Sequence, residues 1–120
     1  MWKLFLDDYR WPEHINMARN EFIIARSYNE AVALVKEHGA PEFISFDHDL
    51  ADAHYGGNFS SEKTGMDFAK WLVETDIDNQ GNFLPDNFTY NVHSMNPDGA
   101  RNIRGLMENW LHEKKKRKHY

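Results

Sequence analysis

Residues 21–50 read EFIIARSYNEAVALVKEHGAPEFISFDHDL, and their order of signals decides the fold class. Glu21 to Ala25, with Phe22, Ile23 and Ile24, is a short apolar run suited to a strand. Ser27 and Glu30 then have the S-x-x-E spacing of a capping box, in which each side chain satisfies the other's free backbone N–H. Ala31, Leu34 and Val35 give the apolar stripe of a helix, and Gly39 and Pro41 stop it. Phe43 to Phe46 is a second apolar run, ending in Asp47-His48-Asp49-Leu50. Strand, helix and strand in about 30 residues make a parallel βαβ unit.

The pattern extends in both directions. Trp2 to Leu6 predicts a strand that stops at Asp7-Asp8. Residues 9–20 have weak periodicity and predict a loop with at most one helical turn. Residues 51–63 hold Gly56, Gly57, Asn58, Ser60 and Ser61; this is longer than a plain connection needs and marks a candidate lid. Thr64 and Asp67 open a second helix with Phe68, Ala69, Trp71, Leu72 and Val73, and residues 75–87 predict a loop. Phe88 to Val92 is the fourth strand, ending in His93-Ser94. Asn96 is placed as a cap before Pro97. Ile103, Leu106, Met107, Trp110 and Leu111 then repeat as one amphipathic face. Strands alternating with helices predict an α/β fold with a parallel, helix-covered sheet and right-handed crossovers. In such sheets ligands collect beyond the carboxyl ends of the strands.

Composition narrows the class. At 120 residues the chain suits one domain, and 41% hydrophobic residues supply a core and argue against wholesale disorder. The absence of cysteine excludes disulfides, thiolate metal sites and cysteine nucleophiles, and fits a reducing, cytoplasmic compartment. No apolar run approaches the roughly 20 residues of a membrane span, and two carboxylates follow the start too soon for a signal peptide.

The formal charge is −5, unevenly spread. Lys114, Lys115, Lys116, Arg117 and Lys118 form one basic block, so the chain divides into a domain at 1–113 and a basic tail at 114–120. Without the block, 9 basic residues face 19 acidic ones. A body so acidic repels nucleic acid unless a metal or local basic patch intervenes. The tail offers a weak contact to RNA; its simpler reading is a solvated helix end whose lysines suit the helix dipole.

Three of four strands end in reactive side chains: Asp7 and Asp8; Asp47, His48 and Asp49; His93 and Ser94. Parallel strands place them along one sheet edge. Carboxylates packed within ~4 Å repel strongly unless one is protonated or a cation joins them. Oxygen ligands suit Mg²⁺ or Mn²⁺, and imidazole shifts the preference toward Mn²⁺, Fe²⁺ or Zn²⁺. The plain alternative is that these acids cap strands and face water. Arg10 and Arg101 offer forked donors to phosphate oxygens, with surface ion pairs as the simpler reading of each. Ser94, Asn96 and the adjoining helix start offer anion-binding amides. His14, His38, His112 and His119 read as surface histidines, and His54 lies in the candidate lid.

Glu21 to Leu50 resembles the receiver domain of response regulators. Asp7-Asp8 match its metal-binding acidic pair, Asp47 its phosphorylated aspartate and Ser94 its small hydroxyl residue. The receiver lysine after a fifth strand has no counterpart. The chain is more similar to the cyclic-phosphate processing receiver domains, through Leu4-Phe5-Leu6-Asp7-Asp8-Tyr9-Arg10, Ser45-Phe46-Asp47-His48-Asp49-Leu50, Thr64-Gly65-Met66-Asp67 and Val92-His93-Ser94-Met95-Asn96-Pro97. This resemblance implies a flavodoxin-like open parallel sheet of about four strands in order 2-1-3-4, lacking the fifth strand and ending in a long helix. It also implies action on cyclic phosphates of nucleotides or RNA ends.

The expectation is therefore a metal-dependent phosphoesterase. Asp7, Asp8, Asp47 and Asp49 are the expected ligands of a divalent Mg²⁺ or Mn²⁺, with Asp49 alternatively orienting a histidine. His48 and His93 are the expected acid and base. Arg10, Ser94, Asn96 and Arg101 are the expected phosphate contacts. The alternatives are a receiver-like module that binds a nucleotide or protein partner without turnover, a degenerate phosphoacceptor receiver, and a small interaction protein acting through the basic tail. The sequence leaves the oligomeric state open.

Overall fold

The computed structural model describes residues 2–50 and 63–118, without the Lys118 side chain. Most of the candidate lid, including His54, lies outside the described residues, as does His119.

The chain order is β1 (Lys3–Leu6), two single turns (Pro12–Ile15 and Arg19–Glu21), β2 (Ile23–Ala25), α1 (Tyr28–His38), β3 (Phe43–Phe46), α2 (Gly65–Asp78), β4 (Thr89–Val92) and α3 (Pro97–Lys118). The strands form one sheet in the order β2-β1-β3-β4, and every pairing is parallel. This is the receiver-like α/β arrangement with β4 at one edge.

Local chemistry explains the helix starts. The Ser27 hydroxyl accepts the Glu30 N–H at 3.1 Å, but the Glu30 carboxylate reaches past Ser27 to the Arg26 N–H at 3.2 Å. The expected capping box is thus shifted by one residue on its return arm. Thr64 and Asp67 close theirs: Asp67 accepts the Thr64 N–H at 2.8 Å, and the Thr64 hydroxyl accepts the Asp67 N–H at 3.3 Å. Asn96 caps α3 by accepting the Gly99 N–H at 3.0 Å.

Side chains alternate across a strand. Leu4, Leu6, Ile44, Phe46 and Val92 share one buried cluster with Ala31 and Val35 of α1, Phe68 and Leu72 of α2, and Ile103, Met107 and Trp110 of α3. All three α-helices therefore lie against one face. The topology requires this of α1 and α2: the β2-to-β3 and β3-to-β4 crossovers advance in the same direction, so right-handedness puts their helices on the same side. The alternate residues Phe5, Phe43 and Ser45 point the other way. There the β1–β2 connection replaces a helix, and Phe22 packs against Phe5 and Phe43 with ring centres 5.9 and 6.0 Å apart. The sequence predicts a helix-covered sheet; the described residues supply α-helices to one face.

Helix α2 runs on to Asp78, past the loop start expected at residue 75; α3 runs through the basic block to Lys118, which makes that block a helix end. Lys114, assigned above to a solvated tail, is only 5% exposed and pairs with the buried Asp76 at 2.8 Å. Among the described residues no helix is long and apolar enough to cross a membrane.

Candidate functional site

Asp7, Asp47 and His93 each follow the last residue of a strand, and register makes them neighbours. Asp7 N–H bonds the Ala25 carbonyl, Asp47 N–H the Leu6 carbonyl and His93 N–H the Phe46 carbonyl. The ladder thus carries one step past the strand ends and fixes where each side chain leaves the sheet. Ligand oxygens of Asp7, Asp8 and Asp47 all lie within 4.8 Å of one another. Asp7 and Asp47 are 0% and 3% exposed.

The two buried aspartates are held in opposite electrostatic conditions. Burial alone raises the Asp7 carboxyl, but it is outweighed by the His93 hydrogen bond, the Arg10 and Tyr9 amides and the Arg10 charge, which bring it down to about 2. Those amides bond Asp7 Oδ1 at 2.9 and 3.0 Å. Its Oδ2 lies 2.9 Å from His93 Nε2 and 3.3 Å from Arg10 Nε. Asp47 has no such set of donors. Burial first, and the Asp7 charge second, push its carboxyl up to about 6, against the lesser pull of His93 and Arg10. A stable anion beside a strained one leaves an uncompensated demand for positive charge.

Arg26 buttresses the turn after β1. Its guanidinium donates to the Asp7 carbonyl at 3.2 Å and to the Arg10 carbonyl. Arg10, expected at a phosphate, also donates Nη1 to the His93 carbonyl at 3.4 Å.

A second cluster adjoins the first through consecutive residues of the chain. His48 Nδ1 lies 2.7 Å from Asp49 Oδ1, and Asn96 Nδ2 donates to the same oxygen at 3.4 Å. A side chain at Gly99 would strike the His48 ring at 2.4 Å, so the imidazole lies against the first turn of α3. Asp49 is therefore placed to orient His48, and among the described residues the metal-competent group is Asp7, Asp8 and Asp47 without it. His93, expected as acid or base, has a side chain only 2% exposed, and both its ring nitrogens are engaged.

Ser94, Asn96 and Arg101, expected at a phosphate, each have a partner within the chain, and Ser94 and Arg101 line one cavity beside α3. The Ser94 hydroxyl accepts the Asn96 N–H at 3.1 Å, and Asn96 Oδ1 is occupied by the Gly99 amide. Arg101 pairs with Asp98 at 3.3 Å on the exposed side of α3. The sequence reading missed Arg26, Ser45 and Asn91. Ser45 and Asn91 had a signal: each is a polar residue inside an apolar strand, two positions before a site residue and therefore on its face.

Gly65 sets the close approach of α2 to the site. Its N–H bonds the His48 carbonyl at 2.8 Å, and a Cβ there would sit 1.8 Å from the Asp47 carbonyl oxygen. Gly65→Ala is expected to lower the melting temperature by several degrees. Gly105→Ala, on α3 with nothing within 4 Å, is expected to raise stability by roughly 0.5–1 kcal/mol through helix propensity. Parallel thermal melts check the pair; equal shifts would show that the Gly65 contact is not a constraint.

The family model of the cyclic-phosphate processing receiver domain matches residues 2–109. The chain belongs to this family. The match includes β1 to β4, both clusters and the first half of α3. No curated protein and no solved structure matches the chain. For this receiver domain the acidic trio thus sits in the part of the chain that carries the family likeness.

Proposed function

We propose that this receiver domain is a metal-dependent phosphoesterase acting on cyclic phosphates of nucleotides or RNA ends. The observation that carries the reading is the convergence of Asp7, Asp8 and Asp47 within 4.8 Å, with the Asp47 carboxyl pushed up to about 6. An all-oxygen donor set with excess negative charge suits Mg²⁺ or Mn²⁺. When bound, the ion supplies Lewis acidity toward a phosphoryl oxygen. The absence of cysteine fits action in the reducing cytoplasm.

The chain's own residues divide the remaining work. Asp47 keeps more ligand capacity than Asp7, which His93, Arg10 and two amides already share. His48, held at Nδ1 by Asp49, presents Nε2 for proton transfer to or from the ester oxygen. Arg10 gives Nη1 to the His93 carbonyl and pairs with Asp7 through Nε at 3.3 Å, which leaves Nη2 for a phosphate oxygen.

The test is hydrolysis of 2′,3′-cyclic nucleotides and cyclic-ended RNA with Mg²⁺ or Mn²⁺. Turnover that EDTA abolishes, and a kcat about 10²–10⁴-fold lower in His48→Gln, are the expected results. Folded protein that binds these compounds saturably without forming product would replace the enzyme with a non-catalytic binding module.

A further inference from the structure

The helix-free face of the sheet buries polar groups that the proposed reaction does not use directly. Ser45 is 0% exposed on the inner strand β3, and Asn91 is its registered neighbour on β4. Asn91 Nδ2 donates to Ser45 Oγ at 3.3 Å, and Ser45 Oγ lies 2.6 Å from His93 Nδ1. The opposite ring nitrogen, Nε2, lies 2.9 Å from Asp7 Oδ2. The His93 ring stacks on Phe5 with centres 4.7 Å apart and planes 5° apart.

We propose that Asn91, Ser45 and His93 form a buried relay that fixes the Asp7 carboxylate as part of a divalent-cation site. This rests on the metal-site reading above and adds three positioning residues to it.

The direction of the relay follows from its Asp7 end. A carboxylate only accepts, so the ring proton of a neutral His93 sits on Nε2, facing Asp7. Nδ1 is then an acceptor and takes the Ser45 hydroxyl proton. The Asn91 amide nitrogen has only protons to give, and it occupies a lone pair of Ser45 Oγ. Phe5 holds the imidazole plane, so the Nε2–H points at one oxygen and nowhere else. The Tyr9 and Arg10 amides hold the other oxygen, and the carboxylate cannot rotate about its last bond without breaking hydrogen bonds at both ends. An alanine at position 45 would pack as well in an apolar strand and need no partner. The polar chain is unnecessary for the sheet, and it ends on a proposed ligand. Partners of this kind orient metal ligands, and their loss commonly weakens metal affinity about 10–100-fold.

The experiment measures Mn²⁺ binding to the substrate-free chain by titration calorimetry, together with long-range ¹H–¹⁵N spectra of the metal-free histidines. Ser45→Ala is expected to weaken Mn²⁺ about 10–100-fold, and Asn91→Ala by less, while circular dichroism reports an unchanged fold. In the wild type the His93 spectrum is expected to show the proton on Nε2. Mn²⁺ affinity within twofold of wild type in folded Ser45→Ala overturns the relay, as does a wild-type His93 carrying its only proton on Nδ1. If Ser45→Ala does not fold, Asn91→Ala and the wild-type spectrum decide between the same two outcomes. A wild type that takes up no Mn²⁺ overturns the positioning role along with the metal site. A wild type that binds Mn²⁺ and shows the relay effect but hydrolyses no cyclic phosphate leaves the relay standing and removes the phosphoesterase.

Discussion

Asp76→Ala is expected to cost about 3–5 kcal/mol of folding stability, the usual penalty for leaving one member of a buried ion pair alone. Asp76 is 0% exposed. Its Oδ1 accepts the Phe83 and Leu84 amides at 2.9 and 3.0 Å, and its Oδ2 accepts Trp110 Nε1 and Lys114 Nζ, both at 2.8 Å. Lys114 also donates to the Leu84 carbonyl at 2.8 Å. One carboxylate thus joins the end of α2, the following loop and the second half of α3. Truncation strands four donors, one of them charged, and each lost bond leaves its own desolvation cost. Lys114→Met is expected to be milder, because Asp76 keeps three donors and the aliphatic stem is replaced in kind. The pH dependence has a definite sign. Burial raises the Asp76 carboxyl, but Lys114, Trp110 and the two amides outweigh it and lower it below its ordinary 3.8. Its contribution is therefore present above pH 4 and is lost as pH falls through the depressed folded value. Urea denaturation at pH 7 and pH 3 checks both statements. A loss under 1 kcal/mol at pH 7 would mean the network is solvated.

That network shows why some of the molecule was legible in sequence and some was not. Local rules carry local information. The Thr64-Asp67 box, the Asn96 cap and the apolar stripe of α3 all depend on residues within a few positions, and the structure repeats them. Strand ends were legible too, because Asp7, Asp47 and His93 each interrupt an apolar run, and parallel strands align their ends. Asp76 and Lys114 are 38 residues apart, and no local pattern marks either as buried. One read as the start of a polar loop, the other as part of a charged block. The same limit governs the histidines. His48 and His93 are both strand-end imidazoles, yet burial separates them: His93 is closed in by Phe5, Ser45 and Asp7, while His48 leans on Gly99 with Asp49 behind it. Ser45 and Asn91 were readable as polar residues on one face, but their partner lies on that face only once β3 and β4 pair. Arg101 offers a phosphate contact by residue type, with a surface ion pair as its simpler reading, and it pairs with Asp98 one turn away in its own helix.

Asp47→Asn is expected to stabilise the metal-free protein while abolishing the proposed turnover. The folded Asp47 carboxyl sits at about 6 against an ordinary 3.8, so the folded chain binds this proton more tightly than the unfolded chain does. Wild-type stability therefore falls as pH rises from about 4 to 6 and stays lower above it. The interval corresponds to about 3 kcal/mol at neutral pH. Asparagine carries no charge to desolvate beside Asp7, so the variant should exceed wild type by up to that amount above pH 6 and match it below pH 4. Divalent cation reverses the order. Mn²⁺ at a thousandfold excess over its Kd adds about 4.1 kcal/mol to a protein that binds it only when folded, and the wild type keeps the carboxylate that attracts it. Melting curves of both proteins at pH 4 and pH 8, with and without Mn²⁺, test the sequence of effects. The decisive comparison is at pH 8. A variant less stable than metal-free wild type there would show that Asp47 is already compensated by protein groups. The cation would then lose its electrostatic reason to bind, and three carboxylates within 4.8 Å would no longer demand one.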